Sequence, residues 1–260
     1  MDYWQSIVLG IVEGVTEFLP ISSTAHLVLT GNILNIPETE FLKSFEIAIQ
    51  LGAILAVVWL YGKKVALNQE IIKKVLAAFI PTAILGFLLY NIFKSFLLEN
   101  LVVIAWALLL GGVFLVIFEY WRQSGGEEKT NTVASVESIS YKNCFLIGIC
   151  QSIAIVPGVS RAAATILGGL FIGIERKTIV EFSFLLAVPT MLAATGYDLL
   201  KNGFAFSADQ FGLLSLGFIV SFLVAILAIK FLLRYIEQHD FKSFGVYRII
   251  VGLILLLIVL

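Results

Sequence analysis

The 260-residue chain is 60% hydrophobic and 13% charged, with a mean hydropathy of +1.01. Soluble domains carry about 25% charged residues, so a water-facing surface of ordinary chemistry is excluded and a polytopic membrane protein, one membrane domain, is expected. The net charge of −1 argues against a nucleic-acid partner, whose surface would be basic. Cys144 and Cys150 lie at or inside an apolar segment and are expected to be core hydrophobes, with no zinc cluster or disulfide framework.

The N-terminus, Met1-Asp2-Tyr3-Trp4, lacks a basic region and is followed by no small-residue cleavage site, so no removable signal peptide is expected. Trp4 to Phe18 is apolar but short, roughly 22 Å as a helix against about 30 Å of hydrocarbon. Pro20 breaks it, and Thr24 to Leu34 is a second short apolar piece. Two half-length helices around a proline predict a re-entrant hairpin, whose irregular tip must line a cavity because bare backbone is not tolerated against lipid. Phe41 to Tyr61 is long enough to span and carries Glu46 and Gln50 on one helix face. Val75 to Phe93, with Pro81 as an expected kink, and Leu101 to Trp121 are two further spans. A polar linker follows, to which no chemistry is assigned. The pattern then restarts: Tyr141 to Val156, an interruption at Pro157-Gly158, Ala162 to Ile174, and spans over Phe182 to Leu200, Phe211 to Leu233 and Phe244 to Leu260.

The predicted architecture is therefore all-α: two inverted-topology repeats, each a re-entrant helical hairpin plus three transmembrane helices. Repeat one covers 1–121, the linker 122–140 and repeat two 141–260. Gly10-Ile11 faces Gly148-Ile149, Glu13 faces Gln151, Ser22-Ser23 faces Ser160-Arg161 and Phe45 faces Phe182. Paired, interrupted apolar segments in two halves point to a midplane site. If both hairpins return to the side they entered, one side holds Lys63, Lys64, Lys73, Lys74, Arg122, Lys129, Lys142, Arg176, Lys177, Lys230, Arg234, Lys242 and Arg248, and the other only Lys43, Lys94 and Lys201. The positive-inside rule makes the first side cytoplasmic and puts both termini outside. Three spans per half invert the second half, so the two hairpin tips approach from opposite sides and can meet.

The first tip, from Glu13 to His26, gathers two carboxylates, four hydroxyls and one of the chain's two histidines into apolar surroundings. Polar groups there are costly unless paired, and inside a membrane they mark function by default. Glu13 and Glu17 share a helix face and could hold a divalent metal or divide acid and base duty; the plain alternative is a carboxylate pair at a helix end reaching interfacial water. Ser22, Ser23 and Thr24 open a new helix, so one serine is expected to be its N-cap, and a capped N-terminus is also an anion site. His26 can donate a proton or act as a nucleophile near neutral pH, although a lone histidine on an apolar face is more often structural. At the second tip Gly158 permits close backbone approach, Ser160 can cap the next helix and Arg161 suits phosphate, with Glu13 or Glu17 as its structural partner. The set favours phosphoryl chemistry.

At these residues the sequence resembles a known family. Glu13-Gly14-Val15-Thr16-Glu17-Phe18-Leu19-Pro20-Ile21-Ser22-Ser23-Thr24 and Pro157-Gly158-Val159-Ser160-Arg161 look like the two signature motifs of the bacitracin-resistance type undecaprenyl-diphosphate phosphatases. Phe45-Glu46-Ile47-Ala48-Ile49-Gln50-Leu51-Gly52 and Glu181-Phe182-Ser183-Phe184-Leu185-Leu186-Ala187-Val188-Pro189 are similar to further segments of that family, so the resemblance covers nearly the whole chain. It implies hydrolysis of the polyprenyl diphosphate to the monophosphate, recycling of the carrier lipid for cell-wall synthesis, and bacitracin resistance. It also implies a bacterial plasma (inner) membrane location, an active site open to the outer face, and dependence on a divalent cation, Mg2+ or Ca2+. The positions matching the family's functional residues are Glu13, Glu17, Ser23, His26 and Arg161, with Ser160 and Thr165 supporting. This chain departs from the pattern at Ala25, where glycine is usual, and at Ala162-Ala163, where Ser-Gly is usual.

The expected catalytic set is Glu17, Ser23, His26 and Arg161; the substrate-binding set is Ser22, Thr24, Gly158, Ser160, Arg161 and Thr165; the metal set is Glu13 and Glu17. The nucleophile is left open between Ser23, His26 and water, and the oligomeric state is open, a homodimer included. The rivals are a polyprenyl-phosphate transporter or flippase on the same inverted-repeat fold, and a lipid-binding paralogue without activity.

Overall fold

The computed structural model describes residues 1–96, 100–124, 133–202 and 207–259, and the side chains of all of these except 89–96, 197–202 and 208–209. Lys129, and the side chains of Lys94 and Lys201 used in the charge comparison, lie outside the described residues. Those described are almost entirely helical: α1 (Tyr3–Thr16), α2 (Ser23–Ile33), α3 (Glu40–Ala66), α4 (Gln69–Phe96), α5 (Leu101–Ser124), α6 (Tyr141–Ser152), α7 (Arg161–Phe171), α8 (Arg176–Asn202), α9 (Ala208–Tyr235) and α10 (Lys242–Val259), with single 3-10 turns at Val136–Ser138 and Ile153–Ile155. Six of these helices, α3, α4, α5, α8, α9 and α10, are long and apolar enough to cross a membrane. The short helices are the two predicted pairs, α1 with α2 and α6 with α7.

Local chemistry explains the boundaries. Asp2 and Gln5 form a capping box at the start of α1, and Thr39 accepts from the Leu42 N–H at 3.1 Å to open α3. Both α4 and α8 continue as helix through their prolines, Pro81 and Pro189. Each short pair is separated by a proline-containing turn that ends in a serine with left-handed backbone, Ser22 at φ 72° and Ser160 at φ 74°. The pairs fold back on themselves. Gln5, near the start of α1, donates to the Leu34 carbonyl just past the end of α2 at 3.3 Å. Val133, before α6, bridges to Ile174 and accepts from the Glu175 N–H, just past α7.

The packing is inside out relative to a water-soluble protein. Trp59 and Phe87 are each 74% exposed and much of α5, α9 and α10 presents leucine, isoleucine and phenylalanine outward, whereas Glu13, Gln151, Thr165, Ser183 and Arg248 are buried. Such a surface suits hydrocarbon, where interior polar groups are the ones with a job to do. The chain is a multi-pass membrane protein. Without a hydrophobic drive between helices in lipid, close backbone approach holds the bundle together. α1 and α3 pack on α9 through Gly10, Gly14 and Gly52, α6 packs on α4 through Gly148, and α5 packs on α10 through Gly112 and Gly245. A methyl at Gly148 would sit 2.0 Å from the Ala78 carbonyl oxygen, while nothing lies within 4 Å of the equivalent point at Gly86. Gly148→Ala is therefore expected to destabilise by about 1–3 kcal/mol and Gly86→Ala to be neutral within about 1 kcal/mol, as read by melting temperature in detergent.

Polar contacts gather the basic residues of the charge comparison at one end of the bundle. Lys64 pairs with Glu181 at 3.4 Å, Arg176 with Glu119 at 2.9 Å and Lys177 with Glu237 at 3.1 Å. Tyr141 donates to Glu70 at 2.9 Å and Gln123 to Asp240 at 2.9 Å, joining α6 to α4 and α5 to the start of α10. Arg248 is the exception. It was grouped with the cytoplasmic charges, yet it is 1% exposed and lies in the interior between the two turns. The reason is that its planar fork finds carbonyl oxygens there to replace water, so its charge reports nothing about the membrane side.

Candidate active site

The α1–α2 turn presents its groups in a fixed order. Glu13 and Glu17 lie on one face because Glu17 continues the helix, its N–H bonded to the Glu13 carbonyl at 3.0 Å. The chain then turns through Pro20 and enters α2 at Ser23. Ser22 occupies the N-cap position, as expected of one of the serines, but its side chain makes no capping bond. The α6–α7 turn behaves differently. Gly158, at φ 91°, packs so closely on α5 that a Cβ would come within 2.6 Å of the Ile104 carbonyl oxygen, so only glycine fits. Ser160 then caps α7 through its own hydroxyl, which accepts from the Ala163 N–H at 3.2 Å.

The two turns meet. Arg161 reaches across to Glu17, Nη2 to Oε1 at 3.1 Å, and its Nη1 donates to the Ser183 carbonyl at 2.8 Å. The Ser23 hydroxyl donates to the other Glu17 oxygen, Oε2, at 2.7 Å. Glu17 is thus shared between a hydroxyl of its own turn and a cation from the opposite one. A cavity of about 140 Å³ opens beside this trio, lined by Glu17, Ser22, Ser23, Thr24, Gly158, Ser160 and Arg161, with Gln50, Ala154, Pro157 and Met191 completing it. Around it lie buried polar atoms with no protein partner: both carboxylate oxygens of Glu13, Nε of Arg161 and Oγ of Ser183. Unpaired buried polar atoms are rare in native proteins and mark sites completed by water, ions or ligand.

Three of the expected site residues do not line this cavity: Glu13, one turn before Glu17 on the same helix face, His26 and Thr165. His26 lies one turn into α2, where Nδ1 is 2.7 Å from the Ser22 carbonyl oxygen and Nε2 is 2.8 Å from the Tyr247 hydroxyl. Thr165 is fully buried and donates to the Arg161 carbonyl at 2.9 Å, with Gln151 Oε1 3.4 Å away. Gln151, facing Glu13 in the internal alignment, is satisfied by Thr82 at 2.9 Å and Thr190 at 3.1 Å. The two turns are thus alike in backbone and unlike in chemistry. Ala25, Ala162 and Ala163, where the family pattern has other residues, are buried, and none lines the cavity.

Arg248 was missed as a site residue. Its guanidinium donates to the carbonyls of Pro20 at 3.2 Å, Gly158 at 3.1 Å and Val159 at 2.9 Å, and to Ala107 at 3.1 Å and Leu108 at 3.4 Å on α5. One side chain therefore ties both turns to α5 and α10. The signal was available, since an arginine inside a span, here the predicted Phe244 to Leu260, is a functional residue by default. Ser183, Tyr247 and Met191 carried no such signal, because serine, tyrosine and methionine are ordinary residues of membrane helices.

Residues 6–254 match the family described as bacitracin resistance protein BacA. A protein of Aquifex aeolicus named undecaprenyl-diphosphatase is 50% identical over 254 residues, covering 98% of this chain and 97% of that protein. Proteins of the same name from a Sulfurihydrogenibium species, 50% identical with 98% of each chain covered, and from Persephonella marina, 48% identical over the full length of both, are similarly close.

Proposed function

This chain belongs to the bacitracin resistance protein BacA family, and from that membership together with the site geometry we infer that it is an integral membrane phosphatase hydrolysing undecaprenyl diphosphate to undecaprenyl phosphate and phosphate. The activity recycles the lipid carrier for cell-wall synthesis and accounts for bacitracin resistance. The observation that carries it is the Ser23–Glu17–Arg161 trio, built from both turns and facing one cavity. A hydroxyl hydrogen-bonded to a carboxylate is an activated-nucleophile arrangement, and a buried guanidinium with an unpaired Nε is a phosphate ligand.

In the proposed mechanism the terminal phosphate sits between Arg161 and the N-termini of α2 and α7, with Ser22, Thr24, Ser160 and the Gly158 backbone around it. Glu17 takes the Ser23 proton as Oγ bonds to the terminal phosphorus, and the bridging P–O bond breaks to release undecaprenyl phosphate. Water then cleaves the phosphoserine and Ser23 recovers its proton. The same geometry serves if water replaces Ser23 as the attacking group. His26, with both ring nitrogens engaged, fits the attacking role least well. Thr165 supports the site through the Arg161 carbonyl.

The donor set also suits a hard divalent cation, Mg2+ or Ca2+. Glu13 offers two buried oxygens without partners and Glu17 lies on the same face. Among the described residues no further His, Cys, Asp or Glu completes a protein cage. One or two carboxylates plus phosphate oxygens are the usual way Mg2+ is held, whereas Ca2+ would call for more oxygen ligands. When bound, the cation would neutralise the charge between the carboxylates and the diphosphate.

We also propose that the α1–α2 and α6–α7 pairs are re-entrant hairpins of two inverted repeats, 1–121 and 141–260, in a bacterial inner membrane, with both termini outside and the cavity open outward. Three features support this. Each pair ends beside its own beginning. The C-terminal bonds of α2, Leu34 N–H to Thr30 and Ile36 N–H to Gly31, recur at the matching positions of α7 as Ile172 to Gly168 and Ile174 to Gly169. Finally, the basic helix ends share one end of the bundle, which the positive-inside rule assigns to the cytoplasm. No second copy is required by this arrangement.

The test is phosphate release from undecaprenyl or farnesyl diphosphate by purified protein in detergent. Release without any membrane gradient is expected, with loss on chelation and recovery on adding Mg2+ or Ca2+. Lipid movement in sealed vesicles with no phosphate release would instead support the transporter.

A further inference from the structure

Resting on the phosphatase reading above, we propose that His26 and Tyr247 are positioning residues that hold the Ser22–Ser23 backbone, and that His26 exchanges neither a proton nor a covalent bond with the substrate. The starting point is the difference between the two turns. Ser22 and Ser160 share the same left-handed backbone, φ 72° and 74°, which a non-glycine residue keeps only when its surroundings hold it. Ser160 is held by its own hydroxyl, bonded to the Ala163 N–H at 3.2 Å. Ser22 makes no such bond, and its side chain is left at the cavity. Another group must hold the turn, and it is His26. The matching position after Ser160 is Ala164, where no side chain is needed because the serine caps the helix itself.

The chemistry is constrained by what each partner can do. A carbonyl oxygen only accepts, so the 2.7 Å contact from the Ser22 carbonyl requires the proton on Nδ1. In a neutral imidazole Nε2 must then accept, and the Tyr247 hydroxyl, 2.8 Å away on α10, donates. The two rings also stack, 5.5 Å apart and 6° from parallel, which fixes the imidazole plane. The Ser22 carbonyl therefore fixes the tautomer, Tyr247 completes it by donating to Nε2, and Ser23 is delivered to Glu17 at 2.7 Å. Tyr247 is adjacent to Arg248, which holds Pro20 of the same turn, so α10 grips the first turn at both ends. Neither imidazole nitrogen is free to face the cavity.

Substitutions at one position separate this role from a chemical one. The asparagine amide nitrogen occupies the place of Nδ1, whereas that of glutamine occupies the place of Nε2. His26→Asn is expected to keep kcat within about fivefold of the unsubstituted enzyme, while His26→Gln and His26→Ala lose about 100-fold, with KM little changed in all three. Tyr247→Phe should lower kcat about fivefold at unchanged KM. Nitrogen-15 NMR of the imidazole should find the proton on Nδ1 in the unsubstituted protein and also in Tyr247→Phe, where the Ser22 carbonyl remains. His26→Asn as inactive as His26→Ala in a folded protein, or an Nε2-protonated resting tautomer, would overturn the proposal. If the unsubstituted protein releases no phosphate, the phosphatase reading fails, and the tautomer measurement still decides this one.

Discussion

Arg161→Lys is expected to lower kcat for lipid diphosphate hydrolysis by about 100-fold or more, in a protein that still folds. The guanidinium divides its donors among three directions: Nη1 to the Ser183 carbonyl, Nη2 to Glu17, and Nε buried without a protein partner and available to phosphate. A lysine keeps the charge but offers one compact ammonium on a flexible stem, so it cannot hold Glu17 and a phosphate in one plane. Deleting the charge is a less clean experiment. The Glu17–Arg161 pair has side chains only 5% and 10% exposed, and removing one member of a buried pair costs about 3–5 kcal/mol because the other is left uncompensated. Glu17→Gln should be comparably inactive, and the double variant no worse than the poorer single one, because residues acting as a unit are not additive. Near-unsubstituted turnover in Arg161→Lys, or in both Glu17→Ala and Arg161→Ala, would end the proposed mechanism.

Arg248→Met is expected to lower the melting temperature in detergent by about 10 °C and to reduce turnover in the protein that remains folded. Arg248 does not itself line the cavity; its five bonds all run to carbonyl oxygens. Those of Ala107 and Leu108 belong to a continuous helix. Those of Pro20, Gly158 and Val159 belong to the two turns, where a buried carbonyl without a donor carries its full desolvation penalty. The summed loss should be about 3–5 kcal/mol, less than the separate bonds added, because the turns can relax together. Arg248→Lys, which can reach only some of these carbonyls, should fall between. A second variant probes the same lock from the other side. Gly111 leaves the lane the guanidinium occupies, since a Cβ there would meet Arg248 Nη2 at 2.2 Å. Gly111→Ala should therefore reproduce part of the loss by displacing the guanidinium, with no polar group removed. A melting temperature within a degree or two of the unsubstituted protein in Arg248→Met would show that the turns hold themselves.

The same side chain explains where sequence reasoning stopped. The helical segments, the two short pairs and the turns at Pro20 and Pro157-Gly158 were legible because each rests on a local property: length against bilayer thickness, a broken apolar run, a glycine where the backbone must bend. The residue types of the cavity were legible for a similar reason, since Glu13, Glu17 and Arg161 are costly in apolar surroundings and have no place there without a partner. What could not be read was how each group is used. Ser22 and Ser160 look interchangeable in the sequence, yet the Ser160 hydroxyl caps its helix while the Ser22 hydroxyl does not, and the Ser22 carbonyl is met by His26 instead. Thr165 lies outside the cavity lining, its hydroxyl bonded to the Arg161 carbonyl at 2.9 Å. Arg248 was counted as a surface charge because a lone arginine near a helix start looks the same whether it meets water or carbonyls.

Composition and periodicity by themselves determined that this chain enters a membrane, crosses it with six long helices, and carries acids and hydroxyls on one interrupted turn and an arginine on another. These are consequences of transfer energies and helix geometry, which act residue by residue along the chain. Only the tertiary structure decided that the two turns share one cavity, that Glu17 is held at once by Ser23 and Arg161, and that α10 supplies both Tyr247 and Arg248 to keep them in register. Such pairings depend on distances between groups far apart in the chain. Those distances are set by how closely glycine-lined helices approach one another, which the packing of the whole bundle decides.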